Sequence, residues 1–192
     1  MIYSELKSNI INLGFEETDV FDDNEKVLIE AANRALIFLN NNVDKREIYI
    51  EYPIPESSPD KKYLKINLEE FTDFEDVSEK APKIDGKEIN NFYYEDNTLF
   101  ISTEYRGNLS ISYYAKTELI PNNPEEDYKV KIKMQLIPLL QLLTAYYVWL
   151  DDDERKAVTY YNQYSEQLQM YLMNRQRKEG IVRTVVEGGI DI

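Results

Sequence analysis

The chain has 192 residues, of which 43% are hydrophobic, and its 36 acidic and 22 basic residues give a formal net charge of −14. This length suits one compact domain, and this hydrophobic content allows a buried core, which excludes global disorder. A surface this acidic repels phosphate and argues against nucleic-acid binding through a basic patch. Because the chain has no cysteine and no histidine, disulfides, thiolate chemistry and the commonest general base are excluded.

The charge is unevenly distributed along the chain. Residues 127–192 contain nine acids and nine bases, so the first 126 residues carry the whole acidic excess. We therefore expect different surfaces of the protein to face different surroundings.

Two helices are predicted near the N-terminus. The first spans residues 1–13 and ends at Gly14. Asp22 or Asp23 can cap the second, over residues 24–41. The apolar residues that this second helix is expected to place on one face are Val27, Leu28, Ala31, Ala35, Leu36 and Leu39.

From residue 46 to residue 120 the period changes to two, which predicts strands, the first over residues 47–52 and the second over residues 63–68. The pair Asp85-Gly86 predicts a tight turn between two short strands, and Asp96-Asn97 predicts another. The strands on either side of the second turn and the strand over residues 109–114 read as a three-stranded meander. Residues 69–76, rich in acids, are expected to form a solvated loop.

Residues 124–150 allow two interpretations. Asn123-Pro124 followed by two glutamates is a helix-start signal, which favours one helix kinked at Pro138. Residues 128–135 alternate strictly between apolar and polar side chains, however, so they also read as a strand, with Pro138 opening the helix. A last helix is predicted over residues 152–178.

The acidic run over residues 151–154 lacks the pattern of a calcium loop, and we expect it to cap the last helix. Tyrosines are concentrated in the final two helices, with few interleaved basic residues, so packing explains them better than base stacking. The residues expected to pack the helical hairpin are Tyr146, Trp149, Tyr160 and Tyr164. No phosphate loop, nucleophile elbow or metal motif is present, so we expect no enzyme activity and no cofactor.

The tail is β-branched and apolar, a composition typical of a segment that docks as an added strand. The residues expected to contact a partner or an adjacent subunit are Ile181, Val182, Val185, Val186, Ile190, Ile192, Arg175 and Arg177. The best apolar run, over residues 136–150, contains Pro138 and Gln141 and is too short to cross a bilayer, so we expect a soluble protein with no membrane contact.

These elements predict an α+β fold: a helical bundle of two N-terminal helices and a long C-terminal helical hairpin, with an inserted antiparallel sheet or sandwich and an extended tail. Short apolar and aromatic motifs accompany this order of elements; they are Ala32–Leu36, Leu99–Ile101, Gly107, Ile111–Tyr114, Leu136–Pro138, Tyr146–Tyr147, Trp149–Asp153, Lys156–Ala157, Tyr161–Asn162 and Tyr164. Together, the order and these motifs resemble the head–tail connector, adaptor or neck proteins of tailed bacteriophages.

The resemblance implies one connector domain over residues 1–192, divided into N-terminal helices (1–45), a β-rich insert (46–120), a helical hairpin (121–179) and a tail (180–192). It implies a virion protein, made in the host cytoplasm, that forms a homo-oligomeric ring, usually twelvefold, in the neck. Such a ring docks beneath the portal protein, contacts a downstream tail or neck protein, and lets DNA pass through its channel without specific binding.

Three alternatives remain open on the sequence. A tail-completion or stopper protein would form a ring lower in the neck. A cytoplasmic binding module would use the tyrosine-rich hairpin to hold one partner. A hydrolase with paired carboxylates is the least supported, because the required spacing of the two groups is spatial and cannot be read from the sequence.

Overall fold

The computed structural model describes residues 1–11, 13, 25–54 and 62–178. By its contacts the chain divides into two compact units, Met1–Leu39 with Glu118–Ile192, and Asn40–Thr117. We call the first the helical unit and the second the β-rich unit. Four α-helices and antiparallel sheets occur among the described residues, which confirms the predicted α+β class. The single connector domain over residues 1–192 stays a prediction.

Helix α1 spans Tyr3–Ile11 and buries Tyr3, Leu6 and Ile10. Helix α2 spans Glu25–Asn42, close to its predicted bounds. Its predicted apolar face is buried except at Val27, whose side chain is 44% exposed. The predicted stop and caps of these helices, Gly14, Asp22 and Asp23, lie outside the described residues.

The favoured single helix over residues 124–150 is wrong. Helix α3 spans only Ile137–Trp149, with Pro138 in its first turn, and a short 3₁₀ turn at Met134–Leu136 precedes it. Residues 128–133 are not helical, and only Lys129 forms a β-bridge, to Ile2. The alternative interpretation, in which Pro138 opens the helix, is therefore correct about the helix. The strand that it predicted over residues 128–135 is not formed, apart from the single bridge at Lys129.

Backbone hydrogen bonds to α1 explain why the helix-start signal at Asn123-Pro124 fails. The N–H groups of Tyr3 and Ser4, which begin α1 and have no partner within it, donate to the carbonyls of Tyr128 (2.8 Å) and Glu126 (3.2 Å). The N–H of Val130 donates to the carbonyl of Met1 at 3.0 Å. The non-helical segment over residues 126–130 supplies acceptors to the start of α1, and a helix there would leave those donors unpaired.

Helix α4 spans Glu154–Lys178 and follows α3 after a four-residue connection. The two helices pack against each other, and α1 also contacts α3. Helix α3 supplies the most buried part of this packing: its fully or nearly fully buried residues are Leu139, Leu140, Leu142, Leu143, Thr144 and Ala145.

The strands of the β-rich unit form two antiparallel sheets. Their bounds are β1 Glu47–Pro53, β2 Tyr63–Asn67, β3 Phe74–Val77, β4 Lys83–Ile84, β5 Lys87–Glu88, β6 Phe92–Glu95, β7 Thr98–Ser102 and β8 Asn108–Ala115. In the larger sheet β8 is the central strand. The whole of β1 pairs with one edge of β8, and β3 and β4 pair with its other edge. Strand β5 pairs with β4. The smaller sheet has the order β2-β7-β6.

The predicted meander is wrong in its third strand. Strands β6 and β7 pair through the turn at Asp96-Asn97, but β8 leaves for the larger sheet and pairs with β1. Alternation within each strand is correct, but it does not encode which strand becomes the neighbour. The inner faces of both sheets contribute to one apolar cluster, which includes Ile66, Leu99, Ile101, Leu109 and Ile111.

The two predicted tight turns are confirmed by their backbone angles. Asp85 and Gly86 have φ of 50° and 79°, and Asp96 and Asn97 have φ of 45° and 58°. Positive φ at both central residues is what a type I′ two-residue hairpin requires. Gly107 has φ of 114°, which favours glycine, and an added Cβ there would also come within 2.3 Å of the Asp85 carboxylate.

Across the part of the chain that the structure describes, none of the helices combines the length and hydropathy needed to cross a bilayer.

Candidate interface surfaces

Three tyrosines connect α3 and α4 through ring contacts. The ring centroid of Tyr146 lies 5.2 Å from that of Tyr161, which lies 5.9 Å from Tyr164. Tyr164 is 2% exposed and meets Phe38 of α2 edge-on at 6.3 Å. Burial raises the pKa of the Tyr164 hydroxyl to about 12, with smaller contributions from Tyr161 and Tyr147. The structure thus places Tyr146 and Tyr164 in the packing between helices of the helical unit.

The two other predicted packing residues have different surroundings. The ammonium of Lys156 lies 3.7 Å from the centroid of the Trp149 indole, a close cation–π contact. The hydroxyl of Tyr160 donates to the carbonyl of Leu13 at 2.5 Å, which ties α4 to the segment after α1. Trp149 and Tyr160 are both half-buried, so they lie at the edge of the packed helices and not at the centre.

The acidic run at the start of α4 acts as predicted, through one of its residues. A carboxylate oxygen of Asp153 accepts from the N–H groups of Arg155 at 3.0 Å and Lys156 at 3.2 Å. Asp153 is therefore the N-cap of α4. Asp151 and Asp152 are exposed.

The side chain of Asn33 makes a pair of backbone contacts that the sequence did not predict, although Asn33 lies within the quoted motif Ala32–Leu36. Its side-chain amide donates to the carbonyl of Ile120 at 2.9 Å, and its side-chain oxygen accepts from the N–H of Ile120 at 2.8 Å. This paired contact fixes the chain where it leaves the β-rich unit. The neighbouring Arg34 lies 4.6 Å from the ring centroid of Tyr147. The sequence did offer one signal for this contact: Asn33 is a side-chain amide among the apolar residues of α2, and such a group needs hydrogen-bond partners when it is buried.

Burial falls along α4 from one half to the other. We call residues 154–165 the inner half and residues 166–178 the outer half. In the inner half Ala157 and Tyr164 are buried, whereas in the outer half, up to residue 177, only Leu168 and Tyr171 are even half-buried. The exposed apolar side chains of the outer half are Met170, Leu172 and Met173, which are 57%, 41% and 59% exposed.

The predicted interface residues divide between this helix and the tail. Arg175 and Arg177 are exposed on the outer half of α4. The predicted tail contacts lie outside the described residues; they are Ile181, Val182, Val185, Val186, Ile190 and Ile192.

One polar cluster in the β-rich unit has the residue types of a catalytic centre. Glu47 accepts from the hydroxyls of Ser78 at 2.6 Å and Tyr49 at 2.9 Å, and Lys80 donates to both Glu47 and Tyr49. Partial burial would raise the pKa of Glu47, but the hydrogen bonds from Lys80, Ser78 and Tyr49 outweigh it and lower the pKa to about 2. The pKa of Lys80 is raised, first by its hydrogen bond to Glu47.

These shifts oppose catalysis by that cluster. A general base needs a pKa near the working pH, but Glu47 is a weaker base than usual and Lys80 holds its proton more tightly than usual. The cluster is therefore best understood as an ion pair with two hydroxyl partners, which stabilises β1 against the segment after β3.

Basic and aromatic side chains form a groove on the outer face of the smaller sheet. Across the strands, the rings of Phe100 and Tyr93 stack in parallel, with centroids 4.6 Å apart, and Tyr63 meets Tyr93 edge-on at 5.3 Å. The ammonium of Lys65 lies 5.0 Å from the Phe100 centroid, and that of Lys62 lies 5.5 Å from the Tyr63 centroid. We call these five residues the aromatic ladder. Beside it lies a groove of about 730 Å³, lined also by Ile54, Leu64, Glu95, Thr103 and Arg106.

Most acids of the segment over residues 69–76 are exposed, as predicted, but the segment is not simply a loop, because a 3₁₀ turn spans Leu68–Glu70 and β3 begins at Phe74. Asp73 accepts from the Tyr113 hydroxyl at 2.6 Å and pairs with Arg46 at 3.5 Å, and Asp76 pairs with Lys45 at 3.7 Å. Glu70 and Glu75 are exposed, as predicted.

No protein-family model matches this chain, and no curated protein shows significant similarity to it.

Proposed function

We propose that the protein is a structural subunit of a head–tail connector ring in a tailed bacteriophage, docked beneath the portal protein and extending the DNA channel. The observation that carries this proposal is the outer half of α4. An amphipathic helix normally buries its apolar side chains, yet here two methionines and a leucine of the outer half are exposed. Such a surface is typical of a subunit that completes its packing on another chain.

The arrangement of helices supports the same conclusion. Under this proposal α3 and α4 form a helical hairpin within a bundle that includes α1 and α2. Six of the motif residues quoted for the resemblance contact one another in pairs in the helical unit: Arg34 meets Tyr147, Tyr146 meets Tyr161, and Lys156 meets Trp149. Their spacing in the sequence thus corresponds to one packed arrangement and not to scattered positions.

The charge of the chain suits a passage for DNA. A net charge of −14 disfavours binding of the phosphate backbone at every register, so DNA would slide through a channel lined by acids without adhering. In the proposed ring a face of one copy meets a different face of the next, and repetition about an axis closes the ring. Arg175, Arg177 and the tail residues would contact the portal protein or the adjacent subunit.

Chemistry is not part of the proposed function. In the described part of the chain, the cluster around Glu47 has catalytic residue types, but its protonation states are wrong for acid–base work. Assembly also accounts for the exposed apolar side chains of the outer half, which a hydrolase would not need.

The decisive experiment is to determine the mass and symmetry of the complex that contains this chain in native particles, by electron microscopy and native mass spectrometry. A ring of copies stacked on a larger ring is the expected result. A ring found lower in the neck would instead indicate the tail-completion or stopper function. A one-to-one complex or a lone monomer, with no particle, would overturn the proposal in favour of a binding module.

Two variants test which surface drives assembly. Replacing Met170 and Met173 together by serine should leave folding intact and abolish ring formation, whereas serine at Met134, which is 80% exposed outside α4, should leave the ring unchanged. Deleting residues 181–192 should likewise give a folded subunit that does not assemble. Rings formed by the truncated chain would show that the tail is not an interface.

A further inference from the structure

The groove beside the aromatic ladder is lined mainly by positively charged groups, although the chain as a whole is negatively charged. Among its described lining residues are three cations, Lys62, Lys65 and Arg106, and one acid, Glu95. The β-rich unit as a whole has sixteen acids and ten bases over residues 40–117. A concave surface that concentrates cations within an acidic unit is complementary to an anionic occupant.

The ladder argues against a nucleic acid as that occupant. Base stacking needs exposed ring faces, but the Phe100 ring is 8% exposed, with Tyr93 stacked on it and Lys65 over it. Tyr93 is 42% exposed, but one of its faces is stacked on Phe100 and Tyr63 meets it edge-on, so the ladder does not offer a series of open ring faces. The other groups that can meet a ligand are cationic heads, which pair with carboxylates as well as with phosphates.

The chain itself supplies a matching acidic surface. Five acids fall within residues 69–76, and Glu70 and Glu75 among them are exposed. This segment begins two residues past Asn67, where β2 ends, whereas Lys62 and Tyr63 lie where β2 begins. At roughly 3.3 Å per residue the two ends of β2 are about 13 Å apart. One copy therefore presents cations toward one end of β2 and acids beyond the other, as a head-to-tail contact requires.

We infer that the groove holds the acidic segment 69–76 of a second copy of this chain, with Lys62, Lys65 and Arg106 facing Glu70 and Glu75 of that copy. The inference rests on the proposed ring, because it names one of the contacts between its subunits. The contact is heterologous, since the two copies use different faces, and so it repeats around an axis.

The test measures self-association of the full chain by sedimentation velocity in low salt. Replacing Lys62 and Lys65 together by glutamate should weaken association by at least about tenfold, because like charges would then face each other. Replacing both by methionine keeps an apolar side chain at each position and removes only the charge, which should weaken association less. The matched control replaces Lys26 and Lys129, two exposed lysines of the helical unit, by glutamate and should have no effect.

Charge exchange identifies the partner residues. A chain with Glu70 and Glu75 replaced by lysine should associate weakly with itself, but it should associate with the Lys62→Glu, Lys65→Glu chain, since opposite charges again meet. Failure of that mixture to associate would overturn the inference.

Three further outcomes would also overturn it. The first is unchanged association of the Lys62→Glu, Lys65→Glu chain in material that forms rings; the ring proposal would then stand. The second is a wild-type chain that remains monomeric at every concentration measured. The ring proposal is tested independently of that result, by the mass and symmetry of the complex in native particles. The third is tight binding of a fluorescent oligothymidylate that the lysine variants lose, which would assign the groove to single-stranded nucleic acid.

Discussion

The two units of this protein differ in the kind of apolar side chain that each exposes. In the described part of the β-rich unit, the large hydrophobic residues that are exposed are Tyr49, Tyr52 and Tyr93, whose hydroxyls are compatible with water. In the helical unit the corresponding residues are mostly aliphatic or methionine: Val27, Ile37, Leu119, Met134, Val158, Tyr161, Met170, Leu172 and Met173. The described surface of the β-rich unit thus exposes large apolar side chains that also carry a hydroxyl, whereas the helical unit leaves apolar surface for another chain to cover.

The largest expected effect contrasts two positions within the helical unit. Leu143→Asp should unfold this unit, because Leu143 is 1% exposed and a buried unpaired carboxylate costs several kcal/mol. Met173→Asp, the same change on the outer half of α4, should alter the free energy of unfolding by less than about 0.5 kcal/mol. Chemical denaturation followed by circular dichroism measures both. Equal losses in the two variants would show that the outer half is part of the core.

The next effect tests whether the β-rich unit holds its own charges. Glu47→Gln should cost roughly 2 kcal/mol at neutral pH, since the pKa of Glu47 is lowered from 4.5 to about 2 and solvent screening reduces the gain. Because the folded pKa is depressed, this stabilisation is present above pH 4.5 and is lost as the pH falls toward about 2. The difference between wild type and variant in denaturation experiments should therefore shrink over that range.

Glu51→Gln is the matched control for the Glu47 experiment. Glu51 is exposed on the same strand, so its replacement should change neither stability nor the pH profile. If the Glu47 and Glu51 variants behave alike, the cluster around Glu47 contributes nothing and the β-rich unit is not self-sufficient in this respect.

A smaller effect is expected at the start of α4. Asp153→Ala should destabilise the helical unit by about 1 kcal/mol, because the N–H groups of Arg155 and Lys156 lose their acceptor. Asp152→Ala, at the exposed neighbouring position, should have almost no effect. Thermal unfolding curves of the two variants distinguish a cap from a general preference for negative charge at this helix end.

The smallest effect compares two hydroxyls of α4. Tyr160→Phe should cost about 0.5–1 kcal/mol, because the hydrogen bond to the carbonyl of Leu13 is lost. Tyr164→Phe should be neutral or slightly stabilising, since no hydrogen bond to its buried hydroxyl is found among the described residues. Urea denaturation resolves the pair. A marked loss at Tyr164 would reveal a partner for that hydroxyl in the folded chain.

Local signals in the sequence predicted most of the elements. Alternation located β1 and β2, positive-φ residue types located the turns at Asp85-Gly86 and Asp96-Asn97, and Asp153 was expected to lie in a capping run. Each of these depends on residues close together in the chain, and each is confirmed.

The failures share a different cause. The segment over residues 126–130 is not helical because its backbone bonds to the start of α1, and β8 leaves the expected meander because β1 is its partner. Both partners lie far away in the sequence, so no local pattern reports them. Among the site residues, the contacts of Asn33 and the aromatic ladder were missed for the same reason: the ladder assembles from β2, β6 and β7 only when the smaller sheet has formed.

The chain enters and leaves the β-rich unit on neighbouring strands. The N–H of Ala115, at the end of β8, donates to the carbonyl of Arg46, just before β1, at 2.8 Å. Because these ends lie close together, a short linker in place of residues 40–117 would span the gap, and a different domain with adjacent termini would fit there. The β-rich unit by itself is also suited to circular permutation, with its present ends joined and new ends placed at the turn between β6 and β7.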